Sequence, residues 1–443
     1  VCPMRGLLKW MRPGLYIKRW LLLMLVALTI FSLAFAQLLL IIYRNEGRPD
    51  WFTSATLGFL TPGLRGLILI AVGILFFAIA LRGLNRSLFG PIFSSHSLSQ
   101  WADIVQSRKQ LRQGLRVVAL GGGTGLPSAL RAMKTETSNI TAVVTMSDDG
   151  GSSGRLRRDL GVQPPGDLRN NLTALARDEA LMTQLFNYRF EMGELAGHSF
   201  GNLFLAALVG IKGSMDEAVL AAGRVLDIQG RVLPCTLTHV TLVAKTRHRE
   251  TGELEQIKGE SLIPRREAVI ERVSLEPQWA RAMPEVMRAL LAADLIIIGP
   301  GSLYTSILPN LLVNGVTEAI RASNALKVYV CNIATQPGET EHYTVTDHVV
   351  ALEQHIGEHL FDVVIANNHF PIENAGPNTV YVRPAPSNHP INQRYYLAYA
   401  DLTDDERPWR HSPEKLRTVL LSLPPASQRI AQSEGEGKVA SLG

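Results

Sequence analysis

Cysteine is scarce: three in 443 residues, at Cys2, Cys235 and Cys331. They form no CxxC pair and no zinc spacing, which excludes a disulfide scaffold and points to reduced thiols in the cytosol. Charge of one sign is also lacking, the formal balance being +5. Much of that sits beside apolar segments, and no basic stripe interleaved with aromatics is present, so nucleic acid is not an expected partner. No Ser-His-Asp order, H-E-x-x-H motif, cysteine nucleophile with a nearby base or internal repeat occurs. Two phosphate-binding signatures fail as well. A dinucleotide fingerprint needs glycine at position 126, where Leu126 stands, and a Walker loop needs a lysine that is missing.

Long apolar runs are present, and only near the N-terminus. Residues 20–43 carry no charge but Arg19 and Arg44 at their margins, and that length can cross about 30 Å of hydrocarbon. A second run, 60–82, is interrupted by Arg65. Cationic residues flank the outer ends of both. The pattern predicts a two-helix transmembrane hairpin over residues 1–85 with both ends cytoplasmic, hence a multi-pass cell-membrane protein with a cytosolic domain. A cleaved signal peptide ending at Ala34-Phe35-Ala36 is the rival, but the apolar run continues past that cut.

The remainder divides into a polar linker over 86–114, an α/β domain over 115–400, and a C-terminal helix with an unstructured tail over 401–443. Short apolar runs at Val117–Leu120, Ile140–Met146, Leu295–Ile298, Val328–Cys331 and Val363–Ala366 alternate with helical patterns. They predict a Rossmann-like, doubly wound, mainly parallel sheet. Val240–Thr246 and Ala268–Leu275 read as a β excursion. In such sheets ligands sit at strand carboxyl ends where the strand order reverses.

Three glycine-rich stretches fall at predicted strand ends. Gly121, Gly122, Gly123, Thr124 and Gly125 precede a helix with Pro127 in its first turn. Backbone N–H groups there would form an anion cradle. Asp148 and Asp149 end the second strand and could hold Mg²⁺ or fix a ligand hydroxyl. The following Gly151, Ser152, Ser153 and Arg155 read as a second nest with arginines for a phosphate. Gly299, Gly301 and Ser302 follow an Ile-rich strand and open another helix. Asn170, His198 and Asn202 are polar residues in apolar helices and are candidate ligand contacts. A turn without a ligand remains the plain alternative for each stretch.

Together these stretches resemble a family. LGGGTGLPSALRAMK and MSDDGGSSGRLRRDLG, with PPGDLRNNL, HSFGNLFLAAL, IIIGPGSLYTSILPNLLV, QPGETEHYTVTDHV and VVIANN, are similar to YvcK-type gluconeogenesis factors, within the superfamily of 2-phospho-L-lactate transferase. The resemblance spans about 116–368. It implies a UDP-sugar ligand, with UDP-N-acetylglucosamine leading, and a regulator of carbon use, cell-wall precursor supply and cell shape. It places Gly121–Gly125 and Gly299–Ser302 on nucleotide and phosphate. Asp148 and Asp149 fall on the transferase's acidic acceptor or metal position. The combined expectation is a membrane-tethered UDP-sugar sensor, without a firm enzymatic activity, that could self-associate and meet an envelope-synthesis protein. The alternative is transfer of a phospholactyl-type group to a deazaflavin, with Asp148 and Asp149 as catalytic residues.

Overall fold

The computed structural model describes residues 109–265, 268–371, 379–386, 388–423 and 440–441, together with Leu28, Ser32, Ala36, Leu64 and Gln106. The chain divides into two compact units, 1–110 and 111–443. The second unit carries the architecture that follows.

Apart from Leu28, Ser32, Ala36 and Leu64, the helices predicted to cross a membrane, over 20–43 and 60–82, lie outside the described residues. Among the described residues no helix is long and apolar enough to cross a membrane. The hairpin in the fold expectation is corrected on that finding. So are the tether, the membrane partner and the multi-pass cell-membrane placement that followed from it. An apolar run satisfies the length condition, but a span also needs one continuous helix of about 20 residues.

An eight-stranded, wholly parallel sheet forms the centre of the unit, in the order β11-β10-β9-β8-β7-β1-β2-β3. The first three strands are β1 (Val117–Gly121), β2 (Ile140–Val144) and β3 (Arg231–Pro234). The others are β7 (Leu295–Ile298), β8 (Leu326–Val330), β9 (Val363–Asn367), β10 (Tyr396–Ala400) and β11 (Ala440–Ser441). Every residue of β1, β2, β7 and β9 is buried. A parallel sheet covered on both faces demands such unbroken apolar strands, which is why they were legible as short hydrophobic runs. Successive strands step from β1 outward to β2 and β3, then return to place β7 on the other side of β1. The order therefore reverses between β1 and β7.

The covering helices include α1 (Leu126–Lys134), α2 (Gly151–Leu160), α3 (Gly166–Leu175), α4 (Glu179–Asn187), α5 (Phe200–Lys212) and α6 (Met215–Val225). After them come α7 (Pro284–Ala292), α8 (Val316–Ala322), α9 (Val345–Ile356) and α10 (Pro413–Ser422). α1 shows why the chain is helical here. Proline stands in its first turn, Arg131 and Lys134 close its last, and Leu126, Ala129, Leu130 and Met133 face the sheet. Lys134 Nζ also ties α1 to the α3–α4 junction through the carbonyls of Ala174 and Ala176.

The β excursion is a three-stranded antiparallel sheet, β5-β4-β6, of β4 (Thr241–His248), β5 (Leu254–Lys258) and β6 (Ala268–Glu276). A 3₁₀ segment, Glu260–Arg265, leaves β5 toward the strand ends of the main sheet. Of the predicted unstructured tail, 424–439 lies outside the described residues, while Ala440 and Ser441 pair with β10.

Candidate functional site

The loops after β1 and β7 meet across the reversal point. A Cβ placed on Gly125 would lie 2.7 Å from the Pro300 carbonyl carbon and 2.8 Å from Gly301 Cα. Only glycine lets these two backbones approach so closely. Gly299 has φ +81, a conformation that disfavours any other residue. The Gly299–Ser302 stretch does not open an α-helix as predicted. It leads into a π-turn, Leu303–Ile307, and then one α-turn, Leu308–Leu311. The Gly301 N–H is engaged by Asn332 Oδ1 at 3.1 Å, and Gln336 Nε2 donates to Ser302 Oγ at 2.7 Å.

A cavity of about 370 Å³ opens beside this junction. Thr124, Gly125 and Ser128 at the start of α1 form one wall, and Pro300, Gly301 and Ser302 another. Asn332, Gln336 and Glu339 follow β8, and Trp409, Arg410 and His411 follow β10. Trp409 and Arg410 are exposed, whereas His411 is buried and joined to the Cys331 carbonyl at 3.0 Å.

The predicted cradle is thus split. Gly121, Gly122 and Gly123 are buried and do not line the cavity; Thr124 and Gly125 do. Instead Gly122 and Gly123 lie against α3 and the π-turn. A Cβ on Gly122 would meet Asp167 Oδ2 at 3.0 Å and Ser306 Cβ at 2.9 Å, and one on Gly123 would meet Asn170 Nδ2 at 2.9 Å. The Gly123 N–H donates to the Asp167 carboxylate.

Within the Asp148–Arg158 run, the stretch from Gly151 onward is helical. Gly150 caps α2, and Gly151, Ser152 and Ser153 form its first turn. Ser153 Oγ accepts from Gly166 N at 3.1 Å, fastening α2 to α3. Asp148 Oδ1 accepts from Gly150 N at 2.9 Å, while Asp149 Oδ1 accepts from Ser261 N at 2.8 Å. The two carboxylates therefore serve different backbones. Among the described residues no group of three or more His, Cys, Asp or Glu is arranged to hold a metal ion. Arg155 Nη1 donates to Ala196 O at 2.9 Å and is committed to the loop before α5.

Three other predicted residues do come together. Ser152 Oγ shares a 3.0 Å hydrogen bond with His198 Nδ1, and Asn202 Nδ2 donates to Ser152 Oγ at 3.1 Å. Asn170 Oδ1 accepts from Arg169 Nη2 at 2.8 Å, and Arg169 Nη1 reaches Ser199 Oγ at 2.6 Å. Burial, reinforced by the nearby Arg155, holds the His198 imidazole below its ordinary value.

Carboxyl groups crowd the inner end of the site. Burial and then Asp148 push Asp167 up to about 7. Burial, followed by the charges of Asp148, Asp167, Glu339 and Asp149, pushes Glu260 up to about 8. Glu339 is raised to about 7 by burial, against hydrogen bonds from Thr305 and backbone. Asp148 is raised by burial, with Asp149 adding to the shift. Sequence reasoning missed Glu260, Asn310, Trp409 and Arg410. No local pattern marks these residues, because the fold assembles them from segments far apart in the chain.

A doubly wound sheet with a cavity at its reversal point defines a class: α/β proteins whose strand-end crevice is the usual ligand-binding place. Comparison with known proteins sharpens this. The 2-phospho-L-lactate transferase CofD family matches residues 117–383. A protein of Nostoc sp. described as a gluconeogenesis factor is 42% identical over 93% of this chain and 91% of its own. The gluconeogenesis factor of Bacillus subtilis is 49% identical over 57% of this chain and 78% of its own. A crystal structure of a UPF0052 family member from Bacillus halodurans superposes with a TM-score of 0.65 at 40% identity, covering 70% of this chain and 99% of that one. The chain belongs to the gluconeogenesis-factor family, related to the CofD superfamily.

Proposed function

We propose that the chain binds a nucleotide-linked diphosphate ligand, a UDP-sugar of the UDP-N-acetylglucosamine kind, in the cavity at the β1/β7 reversal. In this reading it acts as a ligand-sensing regulator of carbon use, cell-wall precursor supply and cell shape. One observation carries the proposal: the start of α1 and the Gly299–Ser302 turn form two walls of a single cavity whose mouth holds Trp409 and Arg410. Free amides at a helix start favour an anion. An exposed indole offers a face to a base, and a guanidinium offers paired donors to phosphate. The names of the relatives support the metabolic role.

The test is thermal unfolding of the full chain with a panel of UDP-sugars. At a hundredfold excess over Kd, binding adds about 2.7 kcal/mol of stability. Arg410→Ala should lose most of that gain while melting like wild type without ligand. Absence of a shift with every UDP-sugar would end the reading.

A second reading, phospholactyl transfer from a nucleotide-activated donor to a deazaflavin, is favoured by the carboxyls of Asp167 and Glu260. Held near 7 and 8, they are suited to exchange protons with an acceptor. Turnover with such a donor, lost in Asp149→Asn, would place it first.

A further inference from the structure

We propose that Asn171 and Asn310 are positioning residues, a two-sided clamp that fixes the carbonyls of Gly121 and Gly122. The clamp thereby aims the Thr124–Gly125 turn into the cavity. This rests on the reading of that cavity as the ligand site.

The two asparagines come from opposite sides of the reversal point, one on α3 after β2, the other on the α-turn after β7. Both are fully buried. Asn171 Nδ2 donates to Gly122 O at 3.0 Å and to Asp167 O at 2.8 Å. Asn310 Nδ2 donates to Gly121 O at 2.9 Å and to Ser306 O at 2.8 Å. Each thus bridges a loop carbonyl and the carbonyl four residues earlier in its own turn. Asp167 and Ser306, those earlier residues, are the two whose side chains abut Gly122. The two arms are therefore built alike: one residue packs against the loop, and the asparagine four positions on holds its carbonyl.

The chemistry needs asparagine. A carboxamide nitrogen supplies two donors from one neutral atom, so it can join two carbonyls without burying a charge. Aspartate of the same shape would only accept. Leucine would leave the Gly122 carbonyl without this partner. The arrangement has a cost, since Oδ1 of both asparagines is buried with no hydrogen-bond partner. A buried acceptor without a partner disfavours folding. A clamp that serves the loop's geometry accounts for that cost; a purely stabilising role does not.

The experiment uses the full chain with Asn171→Asp and Asn310→Asp. Asn171→Ser and Asn310→Ser, which keep one donor, stand in where the aspartate variants do not fold. Val219→Ala, a buried change in α6 away from the loop, is the control for lost stability. Affinity for UDP-N-acetylglucosamine is read by calorimetry, and exchange of the Gly122–Gly125 amides is read without ligand. Each asparagine variant should bind at least tenfold more weakly and exchange those amides at least tenfold faster. Val219→Ala should lower the melting temperature while leaving both readouts at wild-type values. A folded asparagine variant with wild-type affinity and wild-type loop exchange overturns the clamp. If wild type binds neither this probe nor any other UDP-sugar, the proposed function falls, and the exchange measurement still decides the clamp.

Discussion

Replacing Gly125 by alanine tests the meeting of the two loops most directly. The added Cβ would sit 2.7 Å from the Pro300 carbonyl carbon and 2.8 Å from Gly301 Cα. Ordinary carbon–carbon contact lies at about 3.5–4.0 Å, so the two backbones must part by roughly 1 Å. Neither neighbour is the free end of a flexible side chain. Overpacking of this kind costs about 1–3 kcal/mol. At about 2–4 °C per kcal/mol, the melting temperature should fall by several degrees. Both loops line the cavity, so the same displacement should weaken UDP-N-acetylglucosamine about tenfold or more, equivalent to ~1.4 kcal/mol. Gly210→Ala is the matched control, because its Cβ would meet nothing within 4 Å on the exposed side of α5. It should stabilise by about 0.5–1 kcal/mol through helix propensity and leave binding untouched. Calorimetric titration and thermal unfolding of both variants supply the readouts. A Gly125→Ala protein that melts and binds like wild type would refute the close approach of the loops.

Stability should fall as pH rises from about 6.5 to 8.5. Asp167, Glu260 and Glu339 have folded values raised to about 7, 8 and 7, so the native state holds protons that the unfolded chain has already released. Their contribution is fully present below the unfolded carboxyl range and is lost through the folded values. The buried histidines, lowered by burial, act in the opposite sense but only below about 6.5. Denaturant titrations at three pH values should show the decline, and Glu260→Gln should make it shallower; an unchanged slope in that variant would remove Glu260 from the cluster. Cys235 and Cys331 are free and buried, and burial pushes both thiols up, Cys331 to about 12. A thiol reagent at pH 8 should modify neither in the folded protein, and rapid labelling of either would contradict their placement.

The parallel strands were legible because burial on both faces leaves them as unbroken apolar runs, as at Leu295–Ile298. β3 was not, since Arg231–Pro234 begins with a charge and ends with proline. The helical first turn of α2 was not legible for a related reason. Gly151, Ser152, Ser153 and Gly154 have poor helix propensity, but Ser152 is held by His198 and Asn202, and Ser153 by Gly166. Tertiary hydrogen bonds override the local preference there. The glycine turns could be located from sequence because a tight approach needs a residue without a side chain. Their surroundings could not. Arg410 reaches the cavity from beyond β10, nearly three hundred residues after the α1 wall it faces, and nothing near it in the chain signals a ligand.

The division of the Gly121–Gly125 loop bears on how a ligand lies in the site. Its buried half already has a partner, because the Gly123 N–H donates to the Asp167 carboxyl, with Asp148 and Glu260 close enough to shift one another's protonation. A phosphate brought to that half would find the Gly123 N–H already engaged, and its charge would further oppose ionisation of these carboxyls. The other half, at Thr124, Gly125 and Ser128, opens to the cavity that Arg410 borders. Phosphate oxygens are therefore favoured at the α1 start on the Arg410 side. Glu339 at the cavity wall suits hydroxyl or amide donors, which a carboxylate can accept without repulsion. A diphosphate joined to a sugar carries both kinds of group in one molecule. In the proposed reading, Arg410 and Glu339 on different walls of the cavity would therefore orient such a ligand.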